Sequence, residues 1–74
     1  MLHIAKFIYG KDTQEYVFRN EDDAKKCASI PIGKDFSTGG YYSTSNTLHE
    51  KVFETFEEWK NMYLTPDEIE LFNL

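Results

Sequence analysis

Residues 15–28 read Glu-Tyr-Val-Phe-Arg-Asn-Glu-Asp-Asp-Ala-Lys-Lys-Cys-Ala, and residues 50–63 read Glu-Lys-Val-Phe-Glu-Thr-Phe-Glu-Glu-Trp-Lys-Asn-Met-Tyr. The stretches are offset by 35 positions, and Glu15, Val17, Phe18 and Lys25 recur as Glu50, Val52, Phe53 and Lys60. Each opens on a short run of strand-forming residues. Each then reaches an N-cap type, Asn20 or Thr55, followed closely by two acids suited to the first turn of a helix. Thr55 and Glu58 also have the spacing of a capping box. The pattern is a strand that runs directly into a capped helix, twice.

Working outward, residues 3–9 are β-branched and aromatic and end at the turn-rich Gly10-Lys11-Asp12-Thr13. Residues 41–46 form a weaker strand candidate. Thr65-Pro66-Asp67-Glu68 is a third helix start, with proline at N1 and a capping-box glutamate at N3, so a short helix is expected over 66–72. Residues 31–40 form a glycine-containing loop between the halves. It lacks Walker spacing, and no helix follows Lys34. The expected architecture is α+β: a four-stranded, mainly antiparallel sheet in ββαββα order, with two pseudo-repeated ββα units (3–29 and 40–64). The helices lie on one face, and a short C-terminal helix follows. Two units are too few for a solenoid, so 1–74 is read as one domain.

Side-chain alternation places Tyr16 and Phe18 on one face of the second strand and Glu15, Val17 and Arg19 on the other. In the fourth strand Phe53 opposes Glu50, Val52 and Glu54. The phenylalanine face is therefore the expected core face. The first helix offers small residues to it (Ala24, Cys27, Ala28), and the second a bulky stripe of Phe56, Trp59, Met62 and Tyr63. Ile4, Ile8, Val17, Val52 and one of the Tyr41/Tyr42 pair then make the other sheet face partly apolar. Such a face marks a partner or a homodimer contact unless the third helix covers it through Ile69, Leu71 and Phe72.

Composition narrows the function classes. The chain has 74 residues, 41% hydrophobic and 16% aromatic, too apolar for a disordered acidic tail. Its net charge of −5 opposes general binding to nucleic acid or anionic membranes. One cysteine excludes an internal disulfide framework and a four-cysteine zinc site. No window suits a membrane helix, and the start Met1-Leu2-His3-Ile4 does not read as a signal peptide, so a cytoplasmic location is expected.

No catalytic constellation stands out. His3 and His49 lack a second ligand at metal spacing, Cys27 lies on a helix face expected to be buried, and Glu57 and Glu58 are adjacent on a helix and do not face each other. Neither a metal nor a cofactor is expected. Tyr9, Tyr16, Tyr41 and Tyr42 suggest a stacking platform for nucleic acid, but few basic residues accompany them. The acids are more informative. Residues 1–39 balance six acids with six bases, whereas residues 40–74 carry seven acids and two bases. Seven of the thirteen acids occupy helix first turns (Glu21, Asp22, Asp23, Glu57, Glu58, Asp67, Glu68), where helix formation by itself accounts for them.

The expectation is a non-enzymatic protein-binding module that occludes or tethers a partner, a basic, nucleic-acid-binding one being the kind its acidic surface suits. The candidate contact residues are Glu50, Glu54, Glu57 and Glu58 with the apolar Ile4, Ile8, Val17 and Val52. In size, acidity and lack of a catalytic set the chain looks like small inhibitors encoded by phage or mobile elements, a likeness of composition only. The alternatives are a nucleic-acid accessory protein using the tyrosines, and a small enzyme or ligand binder with a site around His49 or the 33–40 loop.

Overall fold

The computed structural model describes residues 1–32 and 40–74. Strand β1 (Leu2–Tyr9) and strand β2 (Asp12–Phe18) form a tight hairpin whose register pairs Tyr9 with Asp12 and His3 with Phe18. Its turn is only Gly10-Lys11, shorter than the sequence suggests. Gly10 takes φ +65° while Lys11 does not take a positive φ, so the glycine holds the position that a two-residue hairpin reserves for it. Helix α1 (Glu21–Ala28) follows β2 at once, and strand β3 (Tyr41–Ser45) returns antiparallel to β1. Helices α2 (Phe56–Tyr63) and α3 (Pro66–Leu71) complete the order ββαβαα. The sheet order is β2-β1-β3, antiparallel throughout.

The expected fourth strand is not formed. Residues 50–54 contribute a single parallel bridge between Phe53 and Phe18. The Phe53 N–H donates to the Val17 carbonyl (2.7 Å), and the Phe53 carbonyl accepts from the Arg19 N–H (2.9 Å). Two residues later the chain is already at the N-cap of α2, so no second rung follows. Among the described residues the sheet therefore has three strands, and the second half does not form a ββα unit. The offset of 35 still has a spatial meaning: the two strand-to-helix junctions lie side by side. Phe18 and Phe53 meet as tilted rings 5.5 Å apart between centroids, and Arg19 pairs with Glu54 at 3.3 Å. The Asn20 amide donates to the Glu54 carbonyl at 3.2 Å.

One cluster forms the core. From the sheet it takes Ala5, Phe7, Tyr16 and Phe18, with Phe53 from the isolated bridge; from α1, Ala24, Cys27 and Ala28; from α2, Phe56 and Trp59. Small residues on α1 let that helix lie close on β1, while Trp59 fills the middle, with Tyr16 edge-on at 5.4 Å and Phe56 at 5.6 Å. The stripe on α2 is half as deep as expected, since Met62 is 56% exposed and Tyr63 also reaches solvent. The Tyr63 ring still closes the core edge, 4.8 Å from Tyr16 and 5.8 Å from Phe53. Ile69, Phe72 and Leu74 pack against this same cluster. The C-terminal helix thus seals the helix side and does not cover the opposite sheet face, and Leu71 points outward. The expected 31–40 loop lies, for residues 33–39, outside the described residues. No helix among the described residues is long and apolar enough to cross a membrane.

Candidate interaction surface

Register fixes which residues share the outer sheet face. Ile4 pairs with Val17 and Ser43, Lys6 with Glu15 and Tyr41, and Ile8 with Thr13. The Phe53–Phe18 bridge sets Val52 level with Val17 at the edge of β2. The four apolar candidates therefore do lie on one face, but they are not equally accessible. Ile4 and Val17 are 5% and 6% exposed, Val52 is half-buried, and only Ile8 stands open at 51%. Tyr41, 59% exposed on the same face, is the member of the Tyr41/Tyr42 pair that joins them. Its neighbour Tyr42 has the same residue type, and only the register of β3 shows which of the two faces outward.

The segment 46–52 explains part of the difference. It carries the chain from β3 at one edge of the sheet to the bridge on β2 at the other. Ser45 pairs with Leu2, which puts its hydroxyl on the outer face, and His49 Nε2 meets it there at 3.1 Å. Thr47 joins them: its hydroxyl lies 2.8 Å from Ser45 Oγ and 3.3 Å from His49 Nε2, and its N–H donates to Ser45 Oγ. Beside this cluster is a hollow of about 230 Å³ lined by Leu2, Arg19, Ser45, Thr47 and Leu48. The three polar groups are bonded chiefly to one another. Among the described residues no carboxylate orients the imidazole, so the cluster acts as a clasp that fastens the crossing segment to β3.

The acidic candidates are mostly neutralised within the chain. Glu54 pairs with Arg19 (3.3 Å), Glu57 with Lys60 (2.8 Å) and Glu58 with Lys51 (3.7 Å). The Lys60 ammonium, hydrogen-bonded to Glu57, holds that carboxyl below the usual carboxylate range. Glu50 alone of the four is exposed and makes no ion pair among the described residues. The tyrosines likewise do not form one platform: Tyr16 is buried in the core, Tyr42 lies on the core side and Tyr41 faces outward.

Tyr42 belongs instead to a polar chain at the start of α1. Its hydroxyl lies 3.3 Å from Glu21 Oε1 and 2.6 Å from His3 Nδ1, within hydrogen-bond reach of both. Lys25 hydrogen-bonds Glu21 at 3.2 Å and sits over the Tyr42 ring at 5.1 Å. That hydrogen bond from Lys25, followed by its charge, lowers the Glu21 pKa; burial, followed by the charge of Glu21, raises that of Tyr42. Cys27 is fully buried, and desolvation pushes its thiol far above the ordinary range. No group of residues able to hold a metal ion occurs among the described residues.

No protein family, no curated protein and no solved structure matches the chain.

Proposed function

We propose that the chain is a non-enzymatic protein-binding module that docks through the outer face of its sheet. The observation that carries this is one-sided packing. The three helices among the described residues gather on the core side, while Ile8 and Tyr41 stay exposed across from them, beside the buried Ile4 and Val17. An apolar floor with open aromatic and aliphatic side chains on a rigid strand scaffold suits protein contact. The acidic set contributes less than the sequence suggests, because Glu54, Glu57 and Glu58 already have basic partners in the chain. Glu50 alone of that set remains exposed at the rim with no ion pair among the described residues.

A photo-crosslinking residue placed at position 41 tests the site, with position 62 on the helix side as its control. Crosslinks to protein from position 41 that vanish in Ile8→Glu support docking through the sheet. Crosslinks from position 62 alone would place the contact on the helices and refute it.

A further inference from the structure

We infer that the partner seated on the outer sheet face is a second copy of this chain, related by a twofold axis along the strands between β1 and β2. The inference rests on the protein-binding reading above and deepens it by naming the partner. It comes from the charge pattern of the face. The outward residues carry Lys6 and Glu15, directly opposed in register, with the Arg19–Glu54 pair at the edge. These are two of the 8 bases and two of the 13 acids, so the strand residues of the face are neutral, and Glu50 on the crossing segment is the unpaired acid at its rim. Face-to-face packing is thus an arrangement of two copies that turns the rest of the acidic excess outward. The strand part of the face, holding one open charge of each sign, favours neither a basic nor an acidic partner. A second copy complements both at once.

The register makes that complementarity specific. Lys6 and Glu15 stand at one height, as do Ile8 and Thr13. Among the described residues neither Lys6 nor Glu15 forms an ion pair. A twofold axis running midway between β1 and β2 exchanges the two strands, so Lys6 of each copy faces Glu15 of the other and Ile8 faces Thr13. Where no segment crosses the face, stacked sheets lie roughly 10 Å apart, a gap that facing lysine and glutamate side chains span. The contact is isologous and closes at two copies, so it does not propagate into fibres. It uses the half of the face that segment 46–52 leaves uncrossed, where Ile8 and Tyr41 are exposed.

Sedimentation velocity across a concentration series up to ~1 mM is the test, a range that covers weak association. Mass rising toward twice the 8.7 kDa of the chain is expected. Ile8→Glu should abolish the rise, and Met62→Glu, on the helix side, should leave it intact. Lys6→Glu should weaken association about tenfold or more by setting like charges opposite each other. The double variant Lys6→Glu/Glu15→Lys should restore it, since each face again carries one charge of each sign. A chain that stays monomeric throughout overturns the inference, as does a dimer lost in Met62→Glu but kept in Ile8→Glu, or a swap that fails to rescue while both single variants fold. If the chain is monomeric while position 41 crosslinks to a different protein, the self-association falls and the protein-binding reading stands.

Discussion

Trp59 has no exposed surface and touches the rings of Tyr16, Phe56 and Tyr63, so its loss leaves a cavity that few neighbours can fill. Trp59→Ala should cost about 3–5 kcal/mol in urea unfolding, whereas Met62→Ala should cost well under about 1 kcal/mol. Sequence periodicity put both on one stripe; only packing separated them. Gly40 is a sharper case. A Cβ there would lie 2.7 Å from Phe7 Cε1 and 2.9 Å from the Lys6 carbonyl, and Phe7 is itself buried. Gly40→Ala should therefore lower stability by about 1–3 kcal/mol, read from the same urea midpoints. Nothing in the glycine pair at 39–40 reveals this clash, since it depends on where β3 meets β1. Titration of Glu21 adds a pH dependence. Its folded pKa is lowered, chiefly by the Lys25 hydrogen bond, so its contribution is complete above the ordinary carboxylate range. The contribution fades as pH falls through the lowered value, because the unfolded chain takes up the proton first. Thermal melts from pH 7 down to about 2, spanning the ordinary carboxylate pKa near 4.3, should show a shallower acid loss for Glu21→Gln than for the parent.

At the scale of elements, the caps were the most legible feature, yet they do not all act alike. Thr65 and Glu68 form the reciprocal box that Thr-Pro-Asp-Glu announces. Thr55 accepts from the Glu58 N–H, but among the described residues the return bond from Glu58 is not made, and that carboxylate pairs with Lys51. Asn20 occupies the N-cap position without capping through its side chain, which reaches across to the Glu54 carbonyl. Its role is to tie two junctions together, which no local pattern could show. Thr65→Ala should thus cost about 1 kcal/mol through loss of its cap. Asn20→Asp, which keeps a capping oxygen but cannot donate to a carbonyl, should also destabilise. If Asn20→Asp melts at or above the parent, the cross-junction tie contributes nothing. The Arg19–Glu54 pair beside it is more than half exposed on both sides and should give a double-mutant coupling below about 1 kcal/mol.

Across the whole molecule, the two halves meet at Phe53, whose backbone bonds Val17 and Arg19 and whose ring joins the common core. The Arg19 and Phe53 amides should therefore exchange with solvent through one shared opening, with similar free energies in native-state hydrogen exchange. Much faster exchange at Phe53 would show the second half opening on its own. The sequence by itself determined the local features. Strand and helix periods, cap residues and the phenylalanine core face all follow from residues within one or two turns of each other. It also determined the charge imbalance and the burial of Cys27, read from its small apolar neighbours. Tertiary structure alone decided the number of strands, because a fourth strand needs room for more than one rung before α2 begins. It decided which apolar residues stay open, because segment 46–52 crosses one end of the outer face and leaves Ile8 and Tyr41 uncovered. It also decided which acids remain free, because ion pairs such as Arg19–Glu54 and Lys51–Glu58 join residues that are brought together only when the chain folds.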